Sequence, residues 1–131
     1  MKSKDLPLPE NRLDTFEAYR QQMNQRILEK GHLGTRRFFS LDSQAYREGA
    51  LDSKTKELLG LVASMVLRCN ECIDYHLIQC VAQGCTDEEL DEAMHIALIV
   101  GGSIVIPHLR HAVETLDLLR ARNEEESAKT L

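Results

Sequence analysis

Apolar residues recur every three or four positions over most of the chain, the spacing that places side chains on one face of an α-helix. The first such stretch predicts a helix from about Asn11 to Lys30, which Gly31 ends. The next stretch, residues 34–49, predicts two short helices separated by a cap at Asp42-Ser43. Residues 1–9 contain two prolines and are predicted to form an N-terminal arm.

The apolar pattern is strongest from Ser53 to Leu67, where only the first turn is polar. This helix is predicted to be mostly buried and to lie at the centre of the fold. A further helix is predicted from about Cys69 to Gln83, with Gly84 as its stop. Thr86 then begins another helix with a capping box, since Glu89 follows three residues later.

Gly101-Gly102 ends that run of apolar residues, and Pro107 is placed where it can begin the last helix. The tail, residues 121–131, is predicted to be frayed and solvated. No stretch shows the two-residue alternation of a β-strand. The pattern therefore predicts a single all-α domain over residues 1–131, a bundle of about six or seven helices.

Charge and length restrict the function. The net charge of −5 and the pI near 5.5 argue against nucleic acid or an anionic membrane as a partner, because both favour basic patches. The longest apolar runs, Leu58–Leu67 and Ile96–Ile106, are far shorter than the roughly 18 residues that span a bilayer. The first residues lack the apolar core of a signal peptide, so we expect a cytoplasmic protein.

Two thiols and an imidazole lie within eight residues of the sequence, at Cys69, Cys72 and His76. A C-x-x-C pair can close a disulfide or hold half of a metal site, and His76 is one helical turn beyond Cys72 on the same face. Making a thiol mostly ionised at neutral pH requires a pKa shift of about two units, roughly 2.7 kcal/mol. A helix dipole supplies at best about 2 kcal/mol, so His76 is the candidate for the remainder.

A histidine base is usually oriented by a third group, and Glu57 on the preceding helix is the candidate. If the two helices pack antiparallel about a turn near Cys69, Glu57 and His76 differ in height by about five residues, roughly 7 Å. A bridging water or an early end to the first helix would close this gap. The geometry is therefore plausible from the sequence without being required by it.

The spacing of Glu57, Cys69, Cys72 and His76 matches the E-x11-C-x2-C-x3-H signature of alkylhydroperoxidase D-like proteins, within the carboxymuconolactone decarboxylase family. The likeness extends from about Gly49 to Leu116, and in this range the chain resembles that family. The resemblance implies an all-helical fold that assembles into homo-oligomers, commonly trimers or hexamers. It also implies a thiol-dependent peroxidase without a bound cofactor.

The roles of the four residues are implied by the same resemblance. Cys72 would attack the peroxide and become a sulfenic acid, and Cys69 would donate a proton and then close the disulfide. His76 and Glu57 would form the proton relay. A dithiol donor of lipoyl or thioredoxin type would restore the thiols. One departure is Glu71, because the best-known peroxidase of the family has a histidine immediately before the second cysteine.

Three alternatives are open. The chain could be a non-catalytic helical module that senses redox state or binds a partner through the same thiols. It could be a lyase acting on a lactone acid, which would not need the cysteines. A zinc site is the third, with four possible ligands at Cys69, Cys72, His76 and Cys80, although one helix directs them poorly towards a tetrahedron.

The remaining cysteines and histidines have weaker signals. Cys80 and Cys85 are predicted to be packing residues. His108 and His111 are three residues apart, with Glu114 three further on, which permits a metal or relay group. The favoured interpretation is that these histidines pack against a neighbouring helix.

Overall fold

Six α-helices and one short 3₁₀-helix make up the computed structural model, which describes residues 11–130 and has no strand within that range. The α-helices are α1 (Arg12–Lys30), α2 (Leu33–Ala45), α3 (Ser53–Val66), α4 (Asn70–Ala82), α5 (Asp87–Gly101) and α6 (Ile106–Thr130), and the 3₁₀-helix is Ser103–Val105. The predicted all-α fold is therefore confirmed. No helix in this range is long and apolar enough to cross a membrane.

The chain divides into two compact units, with the boundary between Asp42 and Ser43. The first unit contains α1 and most of α2. As predicted, α1 begins beside Asn11, whose side chain accepts a hydrogen bond from the backbone of Asp14 at 3.0 Å, and it ends at Gly31. The predicted arm, residues 1–9, lies outside the described residues, and the single domain stays a prediction.

The predicted break at Asp42-Ser43 is wrong, because α2 continues from Leu33 to Ala45 without interruption. Aspartate and serine lower helix propensity only modestly, whereas a glycine costs about 1 kcal/mol and a proline about 3 kcal/mol relative to alanine. Neither occurs between Thr35 and Ala45, so the helical period continues through the pair.

Helices α3 to α6 form the second unit, in which consecutive helices reverse direction. Lys54 at the start of α3 pairs with Glu89 at the start of α5 at 2.8 Å, and Gly101 at the end of α5 lies against Val66. These two helices are therefore parallel. The polar contacts between α4 and α6 show that this pair is parallel too, with the beginnings of both helices at the end of the bundle where α3 and α5 finish.

The core of this unit is formed by one face of each helix. Its fully or nearly buried apolar side chains are Leu61, Met65, Ile73, Leu77, Cys80, Leu90, Met94, Ala97, Val105, Ala112, Leu116 and Leu119. Burying a leucine or isoleucine side chain stabilises a fold by about 1.5–3 kcal/mol. In α3, predicted to be mostly buried, Leu61 and Met65 are fully buried, whereas Leu59 is 54% exposed and Leu67, the residue that follows the helix, is 77% exposed.

Local signals fix the helix ends of this unit. The Asp52 side chain caps α3 by accepting a hydrogen bond from the backbone N–H of Thr55 at 2.7 Å. The predicted capping box at Thr86 is present at the start of α5. Gly102, with φ of +80°, ends that helix as expected.

The tail predicted to fray instead continues as helix to Thr130, with mostly exposed side chains.

Candidate functional site

Glu57 and His76 form a buried hydrogen-bonded pair between α3 and α4. The Nδ1 atom of His76 lies 2.9 Å from Oε2 of Glu57, and the two residues are 8% and 4% exposed. Because a carboxylate oxygen accepts, Nδ1 of His76 carries the hydrogen, and Nε2 is the ring atom that remains for proton transfer. The structure therefore brings together the two residues that the sequence nominated as a relay.

The gap expected between these residues does not occur, since their side chains meet directly. α3 finishes at Val66, and residues 67–69 make the turn into α4. Arg68 in this turn has a φ of 60°, a left-handed conformation that is uncommon for a residue with a side chain. The direct 2.9 Å contact needs no bridging group.

The imidazole of His76 packs directly on the backbone of α3 at Gly60. A Cβ atom at Gly60 would lie 2.7 Å from Nδ1 and 2.8 Å from Nε2, closer than real contacts allow. Two tyrosine rings also contact the imidazole, with centroid distances of 5.4 Å for Tyr46 and 5.1 Å for Tyr75. Sequence reasoning missed all three neighbours, although a glycine inside a helix is a signal of close packing.

Cys69 and Cys72 are joined by a disulfide at the beginning of α4, with their Cα atoms 5.2 Å apart. Cys69 is the N-cap of the helix, and its Sγ accepts a hydrogen bond from the backbone N–H of Cys72 at 3.2 Å. Cys72 is exposed and Cys69 is half-buried. Cys72 also lies one turn before His76 on α4. The pair is thus placed where free N–H groups and the helix dipole favour a thiolate.

The two histidines of α6 contact α4. Nδ1 of His108 lies 2.7 Å from Oδ1 of Asn70, and Nε2 of His111 lies 2.8 Å from Oδ1 of Asp74. The interpretation that they pack against a neighbouring helix is therefore confirmed. Asp74 was not singled out from the sequence, because nothing local indicates a partner 37 residues away.

The other two cysteines are core residues. Cys80 and Cys85 are 0% and 4% exposed, and burial raises the pKa of both thiols, with a hydrogen bond between the two side chains. A buried thiol held in its neutral form is a poor nucleophile and a poor metal ligand. Within residues 11–130, no three histidine, cysteine or acidic side chains are grouped to hold a metal ion.

Comparison with known proteins identifies the family. A sequence model described as "Carboxymuconolactone decarboxylase family" matches residues 32–115, a range that includes Glu57, Cys69, Cys72 and His76. The chain belongs to the carboxymuconolactone decarboxylase family. The resemblance read from the sequence is therefore confirmed at the level of the family.

Solved structures of this family share the fold. The Thermotoga maritima protein TM1620 is 58% identical, with a TM-score of 0.82 over 85% of this chain and 97% of its own. A second structure of TM1620, at 56% identity and TM-score 0.82 over 86% of this chain and 95% of its own, presents it as a family member suggested to take part in an antioxidative response. The apo form of lpg0406, a family member from Legionella pneumophila, is 26% identical, with a TM-score of 0.76 over 82% of this chain and 96% of its own.

A curated relative is more distant. "Uncharacterized protein 4 in cox locus" of Paracoccus denitrificans is 30% identical over 80 residues, which is 61% of this chain and 72% of the relative.

Proposed function

We propose that this protein is a thiol-dependent peroxidase whose reactive thiol is Cys72. The observation that carries the proposal is the Cys69–Cys72 disulfide at the start of α4, one turn from a histidine bonded to a buried glutamate. The likeness to TM1620, which has been suggested to take part in an antioxidative response, supports the same chemistry. The substrate is a hydroperoxide.

The first step consumes the peroxide. The Cys72 thiolate attacks the nearer peroxide oxygen, a sulfur–oxygen bond forms and the oxygen–oxygen bond breaks. The leaving alkoxide or hydroxide takes a proton and departs as an alcohol or as water. Cys72 is then a sulfenic acid, oxidised by two electrons, and the peroxide has gained the same two electrons.

Cys69 resolves the intermediate. Its sulfur attacks the sulfur of the Cys72 sulfenic acid, the disulfide forms, and the hydroxyl leaves with a proton as water. The two sulfur atoms are bonded in the structure with α4 intact from Asn70, so the helix accommodates this product. A dithiol donor of lipoyl or thioredoxin type then reduces the disulfide by exchange and becomes a disulfide itself.

The Glu57–His76 pair moves the protons. His76 Nε2 can accept the proton of the Cys72 thiol while Glu57 holds the ring through Nδ1. This relay supplements the helix dipole, which alone falls short of the roughly 2.7 kcal/mol that ionising a thiol at neutral pH requires. The negative charge of Glu71 opposes ionisation of the Cys72 thiol only weakly, because the Glu71 side chain is exposed and solvent screens its charge.

Two single variants separate the roles of the cysteines. After treatment with peroxide and a sulfenic acid probe, Cys69→Ser should carry the label on Cys72, because the resolving sulfur is missing. Cys72→Ser should carry none, and Cys80→Ser should form the disulfide like the wild type. Labelling of Cys69 in Cys72→Ser would contradict the assignment. If peroxide forms the disulfide but no dithiol donor supports catalytic reduction of the peroxide, the result would favour a redox sensor.

The proposal includes a homo-oligomer. Large apolar side chains on α3, directly after it and on α5 are exposed in the single chain, at Leu59, Leu67, Ile96, Ile99 and Val100. Because the two helices are parallel, the ends that carry Leu67 and Val100 lie at the same end of the bundle. A second copy of the chain would cover such a surface, which is costly to leave in water.

A further inference from the structure

The two cysteines that the proposed peroxidase chemistry does not use meet at the end of α4. Cys80 lies in the last turn of that helix, and Cys85 directly precedes Thr86, the N-cap of α5. Both are buried and neither is in a disulfide. They are therefore a second pair of thiols, separate from Cys69 and Cys72.

The turn between α4 and α5 brings these two cysteines together. The backbone N–H of Cys85 donates a hydrogen bond to the carbonyl oxygen of Cys80 at 3.0 Å. The backbone N–H of Gly84 donates to the carbonyl oxygen of Val81 at 3.1 Å, and Gly84 has a φ of +83°. This is the hydrogen-bond pattern of a Schellman motif, in which the side chains at the positions of Cys80 and Cys85 are commonly in contact.

The hydrogen bond between these residues limits the separation of their Cα atoms. With standard bond lengths, a backbone contact of 3.0 Å holds the two Cα atoms less than about 7 Å apart. Disulfides join Cα atoms that are usually roughly 4.4–6.8 Å apart. A hydrogen bond also joins the thiols of Cys80 and Cys85. The backbone of this turn is therefore compatible with a disulfide between them.

Burial makes these thiols less reactive than the exposed Cys72. It raises the pKa of both Cys80 and Cys85 and so keeps them neutral. For Cys85 the hydrogen bond from Cys80 acts against burial and lowers the pKa, whereas for Cys80 the charge of Cys85 and the same hydrogen bond raise the pKa further. Cys85 is also the more exposed of the two, so it is the thiol expected to react first with an oxidant.

We propose that Cys80 and Cys85 are a second redox site, which closes a buried disulfide when hydroperoxide is present in excess over the Cys69–Cys72 pair. The Cys85 sulfur attacks the peroxide, a sulfur–oxygen bond forms, the oxygen–oxygen bond breaks, and an alcohol or water leaves. The Cys80 sulfur then attacks the sulfenic acid, and the hydroxyl leaves with a proton as water. The two thiols lose two electrons, which the peroxide gains.

This disulfide would tie the end of α4 to the start of α5. The start of α5 is already fixed by its capping box, in which Glu89 also pairs with Lys54 of α3 at 2.8 Å. A cross-link reduces the conformational freedom of the unfolded chain, so the oxidised protein should melt at a higher temperature. Because burial hinders access of a dithiol donor, this disulfide should persist after the Cys69–Cys72 disulfide has been reduced.

The test uses the full chain with Cys69→Ser and Cys72→Ser combined, in which Cys80 and Cys85 are the remaining cysteines. The reduced variant is treated with excess hydroperoxide, any remaining thiols are alkylated under denaturing conditions, and the intact mass is measured without a reductant. The expected product is a single chain that has lost the mass of two hydrogen atoms and takes up no alkyl group. The matched control adds Cys80→Ala and should never show this loss. Circular dichroism checks that both variants are folded.

A variant that keeps both thiols, gains oxygen atoms without linking them, or links two chains would overturn the proposal. Since both cysteines of the proposed peroxidase site are replaced, failure of the peroxidase proposal leaves this result unaffected.

Persistence is measured on wild-type protein in which both disulfides have been formed. Treatment of the folded protein with dihydrolipoamide should restore the mass of two hydrogen atoms, and treatment after unfolding should restore the mass of four. Recovery of all four in the folded protein would contradict a disulfide that burial protects.

Discussion

Gly60 lies in the middle of α3, where a glycine destabilises a helix by roughly 0.5–1 kcal/mol relative to alanine. The ring of His76 explains its presence, since the imidazole occupies the space that a side chain at residue 60 would fill. The hydrogen bond from His76 to Glu57 is made one turn earlier on the same helix. The absence of a side chain at Gly60 is therefore part of what places the imidazole of His76 against Glu57.

Gly60→Ala should disturb this alignment. The new Cβ would lie within 2.8 Å of both ring nitrogens, so the imidazole must shift away from Glu57. Overpacking of this kind costs about 1–3 kcal/mol, only partly offset by the better helix propensity of alanine. We expect a lower melting temperature and slower alkylation of Cys72 at neutral pH.

The matched control is Gly49→Ala, where a Cβ would meet only Lys56 Nζ at 3.5 Å, an ordinary contact. It should behave as the wild type. Unchanged stability and unchanged alkylation in Gly60→Ala would show that the ring does not pack on this position.

Individual residues of the site show what the sequence could predict and what it could not. The spacing of Glu57, Cys69, Cys72 and His76 nominated the site because it matches the signature of a family that the chain resembles, whereas helical geometry alone made the contact between Glu57 and His76 plausible without requiring it. Asp74 and His111 were not paired in advance, because their contact depends on how α4 meets α6. The apolar periodicity indicates which face of a helix is buried, but not which residues of other helices the polar side chains on that face contact.

The helices themselves were largely predictable. Capping signals at Asn11 and Thr86 and the stops at Gly31 and Gly102 act locally, so the sequence indicates the ends of α1 and α5 closely. The break expected in α2 was wrong because Asp and Ser are capping residues only when the chain around them leaves the helix. No residue of α2 is buried, so the uninterrupted helix follows from local propensity, with no proline or glycine between Thr35 and Ala45.

The solvent-exposed faces of α3 and α5 carry large apolar side chains that do not pack against the rest of the same chain. Leu67, which directly follows α3, and Ile99 of α5 are 77% and 68% exposed. The sequence predicted that α3 is mostly buried, because its wide apolar face was counted as core. If a second copy covers these faces, the prediction of burial applies to the assembly and not to the single chain.

Ile99→Lys should therefore weaken self-association. A lysine placed at the centre of an apolar contact between copies must either lose its hydration or break the contact, so light scattering should report a smaller species at equal concentration. Glu88→Lys, at the exposed polar end of the same helix, is the control and should keep the wild-type mass. An Ile99→Lys protein with the wild-type mass, or a wild type that is monomeric, would contradict the proposed assembly.

At the scale of the whole molecule, the parallel pairing of α4 with α6 determines what surrounds the thiols. Both helices begin at one end of the bundle, so the disulfide and His108 lie at that end. The helical period of the sequence predicted the all-α class and the order of the helices. It could not predict which helices run parallel in space, because that depends on contacts between distant residues.

The position of the disulfide suits a thiol that must meet two different molecules in turn. Cys72 is exposed at the start of α4, as the proposed reactions with a peroxide and then a dithiol require, while Glu57 and His76 are buried. Shielding strengthens the interaction between the carboxylate and the imidazole, and exposure leaves the sulfur accessible. The arrangement thus separates proton transfer from substrate access.

The most direct test is the intact mass and the peptide map of fully reduced wild-type protein before and after one equivalent of hydroperoxide. The account predicts that the protein loses the mass of two hydrogen atoms, that the peroxide is consumed in equal amount, and that mapping finds the Cys69–Cys72 disulfide with Cys80 and Cys85 still reduced. Protein that remains reduced while the peroxide persists would contradict it.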